Sequence, residues 1–481
     1  MSKKTKRSIS TFAILLAVML LVSIATWLAA GKTYTGENGE IAEVVGASAS
    51  DIFMGPVNGF ADASDVITFV FCLGAFLAIV NATGALETGI HTLVRKLHGK
   101  ELVLVWILMF LFSVGGTTYG MGEETVGFYI LLAATMMAAG FDPIVGAATV
   151  LLGAGTGVLG STINPFATGA AVAAATSVGV EVNMGTTYVI GIILWLVSYL
   201  LSVLFVTAYA KKVRANKGSI LTAAQLDECQ KAYGGKDVTT AKLTGRQKAV
   251  LWLFALSFVV MILGFIPWGS LSETMYNAFS SSTTWLTGAC LGDWWFYDAA
   301  TWFLLMGIII GIVGLEDRSR LMKLIASGFG DMVSVNLVIG MARATSVIMS
   351  ITGLGTWLVE ASVTALSQSG VSAGVFGLLD YILHVGLSFL VPSSSGLAGL
   401  SSPIVSPIVA GMGWSVETSI MINVAANGFV NLFTPTCGFI MGGLALARVP
   451  YESWLKWAWK LLVALFIVVG VVLTIAMAVL S

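Results

Sequence analysis

Long apolar runs alternate with short polar interruptions along this chain. Runs such as 12–30, 188–208 and 461–480 each supply the roughly 20 residues an α-helix needs to cross a bilayer. Four polar, glycine-rich breaks fall inside apolar stretches rather than between them: GGTTYGMGEE at 115–124, GSTINPFATG at 160–169, PSSSGLAG at 392–399 and NLFTPTCG at 431–438. A break at membrane depth exposes backbone N–H and C=O groups, which is tolerable only where they line a cavity or are covered by protein. The breaks form two matched pairs. About 45 residues separate Tyr119 from Asn164, and about 40 separate Ser394 from Thr434. Matched interruptions in two halves point to a transporter's binding site.

The pattern predicts an all-α polytopic membrane protein of two inverted-topology repeats, each with a re-entrant hairpin and a broken transmembrane helix. The first repeat is 1–210, with its hairpin at about 103–139 and its broken helix at about 143–178. Residues 211–299 form a linker, a bridging helix at about 248–268 and an outer segment. The second repeat is 300–481, with crossings at about 300–316 and 333–362, a hairpin at about 373–411 and a broken helix at about 415–447. Lys3, Lys4, Lys6 and Arg7 set the N-terminus in the cytoplasm by the positive-inside rule. With that start, Arg95, Lys96 and Lys100, the nine basic residues from Lys211 to Lys248, Arg318, Arg320, Lys323, Arg448, Lys456 and Lys460 all fall inside. The first hairpin then opens from the cytoplasm and the second from outside. The exceptions are Lys32 and Arg343.

Composition agrees. The chain is 57% hydrophobic and 10% charged, against roughly a quarter charged in soluble domains. The net charge of −1 offers no basic surface for nucleic acid. The cysteines Cys72, Cys229, Cys290 and Cys437 lack metal-ligand spacing, and no structural disulfide is expected. The first apolar run is longer than a signal-peptide core and reads as an uncleaved helix. No nucleotide motif, catalytic triad or metal cluster supports an enzyme.

The breaks carry the candidate chemistry. Hydroxyls of Thr117, Thr118, Ser161, Thr162, Ser393, Ser394, Ser395, Thr434 and Thr436 can donate and accept, and Asn164 and Asn431 add amides at the two helix breaks. Half-helix N-termini suit a carboxylate. Their C-terminal carbonyls suit a cation, so Na⁺ is expected near Asn164 and Asn431. For any single break, close helix packing by small residues is an equally good account. Four paired breaks favour a cavity lined by both asparagines. Glu123 and Glu124 at the inner hairpin tip suggest cation recognition or proton exchange. Arg343 needs an acidic partner or a substrate carboxylate. Asp380 is the expected partner, with His384 four residues on along the same face. Glu360 and Glu417 read as interfacial, and His91 and His98 receive no role. Trp268, Trp285, Trp294 and Trp295 read as interface anchors.

At GMGEETVGFY (120–129), INPFATG (163–169), GMARATSVIM (340–349), DYILH (380–384), VPSSSGLAGLSSPI (391–404) and NLFTPTCG (431–438) the chain resembles the YfcC group of the DcuC family, within the ion transporter superfamily. The resemblance spans nearly the whole chain. It implies a secondary carrier with inverted repeats, a homodimer, and substrate held at hairpin tips and broken helices. The Ser-Asn-Thr triplets of the family's relatives are only approximated, by Ser161-Thr162-Ile163-Asn164.

These readings converge on a secondary transporter of the bacterial inner membrane, with a small-molecule substrate and Na⁺ or H⁺ coupling. Two carboxylates at one tip and a single intramembrane cation favour a basic amino acid, moved by exchange. A C4-dicarboxylate or dipeptide carrier is the alternative, and a channel is the alternative of another class. Hairpins entering from opposite sides favour alternating access over a continuous pore.

Overall fold

The computed structural model describes residues 11–36, 39–89, 92, 100–215, 218–233 and 243–481. Lys3, Lys4, Lys6, Arg7, His91, Arg95, Lys96 and His98 lie outside them, as do Lys217, Lys236 and Lys242. The architecture is all-α and multi-spanning. Among the described residues, nine helices are long and apolar enough to cross a membrane.

The N-terminal part comprises α1 (Thr11–Ala29), a small antiparallel ribbon of β1 (Thr33–Thr35) and β2 (Ile41–Glu43), α2 (Ala49–Asp62) and α3 (Ser64–Ala82). Then come α4 (Glu101–Tyr119), a short turn at Glu123–Thr125, α5 (Val126–Ala138), α6 (Pro143–Leu159), a π-turn at Pro165–Gly169, α7 (Ala170–Ser177) and α8 (Met184–Arg214). The connecting region holds α9 (Ala223–Tyr233) and α10 (Gly245–Phe265). The C-terminal part has α11 (Phe296–Gly314), α12 (Leu321–Ile351), α13 (Leu354–Gln368), α14 (Ala373–Leu390), α15 (Ser394–Gly411), α16 (Val416–Val430), α17 (Gly438–Leu446) and α18 (Tyr451–Leu480). Each of the four anticipated breaks is a true interruption: α4 from α5, α6 from α7, α14 from α15, and α16 from α17.

Some boundaries differ from the sequence reading. The crossing expected at about 333–362 is α12, which starts earlier, followed by a turn at Gly353 with φ of 72° and then α13. A left-handed backbone there ends one helix and starts another. The outer segment before Ala63 contains α2, where Ser48 and Asp51 form a reciprocal capping box. Trp268 and Trp294 are buried rather than interfacial, with their indole N–H groups donating to the Leu263 carbonyl and to Thr283. Trp285 is exposed.

Two devices bring the breaks together. Gly116 on α4 and Gly157 on α6 meet backbone to backbone: a Cβ on Gly157 would lie 2.8 Å from Gly116 Cα and 2.7 Å from Thr117 N. In lipid no hydrophobic force drives helices together, so such close van der Waals approach is what holds them. Gly120, at φ 80°, closes α4 in a left-handed cap, and a Cβ there would run into the Asn164 side chain. The polar linker is anchored as well. Asp142 caps α6 and accepts hydrogen bonds from Tyr209 and Ser219, which tie the residues after α8 to the start of α6.

The α4–α6 contact predicts a contrast between two glycines. Gly157→Ala should lower the melting temperature of purified protein, an overpacking cost of about 1–3 kcal/mol. Gly386→Ala, on α14 where an added Cβ meets nothing within 4 Å, should leave it unchanged or raise it, because alanine is the better helix former. Equal loss in both would remove the packing argument.

Candidate binding cavity at the helix breaks

The first pair of breaks is stitched together by its own polar groups. Thr117 Oγ1 donates to the Gly160 carbonyl at 2.7 Å, and the Thr162 N–H and hydroxyl both donate to the Thr117 carbonyl, at 2.8 and 2.9 Å. Thr118 turns back onto the Val114 carbonyl of its own helix. Ser161 donates to the Val158 carbonyl and accepts from Asn164 Nδ2 at 2.8 Å. Asn164 Oδ1 accepts from the Phe166 and Ala167 N–H groups. Asn164 is therefore engaged at both ends in capping the second half-helix. A Na⁺ ion on Asn164 would have to displace that cap, and the asparagine does not line the cavity described next.

The second pair does line it. A cavity of 160 Å³ is bounded by Ser393, Ser394 and Ser395 at the start of α15, by Asn431, Thr436 and Gly438 at the α16–α17 break, by Glu123 at the first hairpin turn, and by Arg343 of α12. Ser393 caps α15 by accepting from the Gly396 N–H. Asn431 Nδ2 donates to the Pro392 carbonyl at 2.9 Å and to Asn427 Oδ1 at 3.0 Å, which leaves its buried Oδ1 without a partner. Thr434 is buried one step behind, sharing a hydroxyl–hydroxyl bond with Thr436 at 2.6 Å. Of the two adjacent glutamates, only Glu123 faces the cavity. Glu124 is 2% exposed and accepts from the Gly122 N–H.

Three contributors escaped the sequence reading. Asn427 accepts from Ser394 Oγ at 2.8 Å and donates to the Pro392 carbonyl, so it joins hairpin tip to broken helix. Its spacing of four residues from Asn431 was the available signal. Asp65 also lines the cavity and accepts from the Trp295 indole N–H at 2.8 Å. Phe166, Trp295 and Phe296 make an aromatic wall, with Phe166 and Trp295 centroids 4.6 Å apart. Trp295 came from a segment read as outside, and no local motif distinguished it.

Arg343 does not pair with Asp380. Its Nε lies 2.6 Å from Asp62 Oδ2, at the end of α2, with the two side chains 23% and 50% exposed. Asp62 was invisible as a partner because only the packing of α2 against α12 brings it there. Asp380 and His384 lie together on α14 and do not line the cavity. Arg343, Ser346 and Ser395 also bound a larger space of 1370 Å³ lined by Asp62, Thr35 and Glu360. The Arg343–Asp62 pair thus stands between the inner cavity and this vestibule. Glu360 accepts from Thr35, and Glu417 from the Asn183 N–H.

The family model for the C4-dicarboxylate anaerobic carrier, DcuC, matches residues 9–478. The chain belongs to the DcuC family. A Haemophilus influenzae protein of uncharacterized function is 28% identical over 435 residues, covering 90% of this chain and 79% of its own. An Escherichia coli protein named "Putative basic amino acid antiporter YfcC" is 27% identical over 424 residues, covering 86% and 77%. The crystal structure of the Alcanivorax borkumensis YdaH transporter, reported with an unusual topology, superposes with a TM-score of 0.50 at 17% identity, over 97% of this chain and 98% of that one. This DcuC-family chain is a polytopic bacterial membrane transporter of small solutes, not an enzyme.

The geometry predicts which acid Arg343 depends on. Combining Arg343→Gln with Asp62→Asn should give a melting-temperature loss smaller than the sum of the single losses. The coupling should be about 0.5–1 kcal/mol, as befits a half-exposed pair. Arg343→Gln with Asp380→Asn should be additive. The reverse pattern would restore the Arg343–Asp380 pairing.

Proposed function

We propose that this chain is a secondary carrier for a C4-dicarboxylate or a similar small carboxylate, working by alternating access. The observation that carries this reading is the meeting, at one cavity, of Arg343 with the N-terminal ends of α15 and α17. Helix N-termini favour anions through their free N–H groups and dipole. A substrate with two carboxylates needs two such anchors, and the cavity offers a guanidinium and two helix ends. The family's description as a C4-dicarboxylate carrier supports the same substrate class. Coupling to H⁺ or Na⁺ supplies the drive, and Glu123 at the cavity is one group that can take up a cation.

A second reading has its own observation. Glu123 and Asp65 face the same cavity, and they would suit the side chain of a basic amino acid, the class in the printed name of the Escherichia coli relative.

The architecture proposed with this function has two inverted repeats, 1–210 and 300–481, joined by 211–299. The α4–α5 and α14–α15 pairs act as re-entrant hairpins from opposite faces. The protein resides in the inner membrane as a homodimer with its N-terminus in the cytoplasm. Cys229, at 1% exposed, is a poor reporter of sidedness. Lys212→Cys, on the exposed end of α8, should instead resist an impermeant thiol reagent on intact cells and react after permeabilisation. Labelling from outside would invert the topology.

Uptake into proteoliposomes separates the substrates. Radiolabelled succinate or fumarate should enter saturably, with arginine and ornithine failing to compete. Arg343→Gln should weaken that uptake by roughly tenfold or more, the cost of losing a hydrogen bond between charged groups. Saturable arginine uptake that collapses in Glu123→Gln, without succinate competition, would overturn the dicarboxylate reading in favour of the second one.

A further inference from the structure

The most unusual buried group lies outside the cavity, within the second hairpin. Asp380 and His384 occupy one face of α14, and are 0% and 1% exposed. His384 Nδ1 is 2.9 Å from Asp380 Oδ1 and 3.0 Å from the Asp380 carbonyl. Nδ1 is thus within reach of both the carbonyl and the carboxylate of Asp380, and among the described residues no other side chain hydrogen-bonds that carboxylate. On its other side, His384 Nε2 lies 2.6 Å from the hydroxyl of Ser401, on the opposite arm α15. The histidine therefore bridges the two arms of the hairpin whose tip bounds the cavity.

We propose that Asp380 and His384 together form a proton-carrying site that couples this carrier to a transmembrane pH gradient. This rests on the reading of the chain as a secondary carrier.

The argument is one of charge. An ionised Asp380 beside a neutral His384 would leave a net negative charge in the protein interior, with no other donor among the described residues to compensate it. Such a charge costs several kcal/mol. One proton on the pair makes it neutral overall, so the closed, dry arrangement retains one exchangeable proton. Giving it up requires water. From His384 to the end of α14 is six residues, or about 9 Å along the helix axis. A rearrangement at the tip that separates α15 from α14 breaks the His384–Ser401 contact and hydrates the pair. Proton release is thereby tied to the movement that opens the cavity.

Among the described residues, no other charge on α14 or on the elements packed against it is placed to compensate the pair. On α15 the neighbouring group is the hydroxyl of Ser401, and on α14 itself Tyr381 is a buried neutral phenol without a partner. On α16 the acid is Glu417, engaged by Asn183 and Ser415. On α13 it is Glu360, engaged by Thr35. On α18, Tyr381 packs at Gly470, ten residues or about 15 Å from Lys460.

The test uses full-length protein in proteoliposomes with radiolabelled succinate and radiolabelled arginine as probes. Wild type should accumulate one of them against its gradient when an inward proton gradient is imposed without Na⁺. His384→Gln should lose that accumulation while keeping gradient-free counterflow, which reports binding and alternation. Ser401→Ala, the milder change, should shift the pH midpoint of uptake and keep counterflow. A substrate-independent measurement stands beside these: an infrared pH titration of purified protein should show a carboxyl or imidazole protonation band that vanishes in both Asp380→Asn and His384→Gln. Accumulation by His384→Gln equal to wild type would overturn the proposal. So would drive by Na⁺ alone, or an infrared titration unchanged in the two variants. Wild-type counterflow with neither probe would instead count against the carrier substrates proposed above, and the infrared titration would still decide the proton site.

Discussion

Everything in this structure depends on the rule that a backbone polar group in the hydrocarbon layer must find its partner within the protein. Breaking a helix at that depth frees N–H and C=O groups at two new ends. The molecule tolerates this because each break is satisfied by a nearby polar side chain. Thr117 covers the carbonyl at Gly160, Asn164 caps the half-helix after its break, Ser393 caps α15, and Asn427 and Asn431 hold the Pro392 carbonyl. The close approach of α4 and α6 at Gly116 and Gly157 is part of the same solution, since Thr117 and Gly160 must be neighbours for the bond to form.

The two pairs of breaks consequently divide the labour. In the first, Thr117, Thr162 and Asn164 spend their polar atoms tying one broken end to another and form a brace, while Glu123 faces the cavity. In the second, the residues of the break themselves line the cavity, among them the serines at the start of α15, Asn431 and Thr436, and the buried Oδ1 of Asn431 is left without a partner. A cavity between a rigid brace and a partly unsatisfied tip is a sensible place to bind a solute. Arg343 and the half-exposed Asp62 sit at its junction with the vestibule.

Membrane burial also explains which charges the fold retains. Deep carboxyls persist here where a polar neighbour, on the same element or another, lies against them. Asp142 has Tyr209 and Ser219, Glu124 has the Gly122 amide, and Asp380 has His384. Asp142 caps α6, so its hydrogen bonds fix the polar segment after α8 to the start of that helix.

The sequence by itself determined the class of the protein, the positions of the breaks and the serine cluster at the start of α15. These are local properties. Hydrophobic run length specifies a spanning helix, and Gly, Pro, Ser and Asn specify where a helix stops, without reference to distant residues. Asn431, Glu123 and Ser393–Ser395 were legible for that reason. Tertiary structure alone decided which polar groups share a space. Asp62 rather than Asp380 meets Arg343, because α2 packs on α12 while Asp380 lies with His384 on α14. Trp295 reaches Asp65 and Phe166, and Asn164 turns inward to cap its own half-helix while Asn431 faces the cavity. Helical period fixes the face a residue occupies, but the rotation and contact of each helix against its neighbours are set by side-chain packing across the bundle, and that information is distributed over segments hundreds of residues apart.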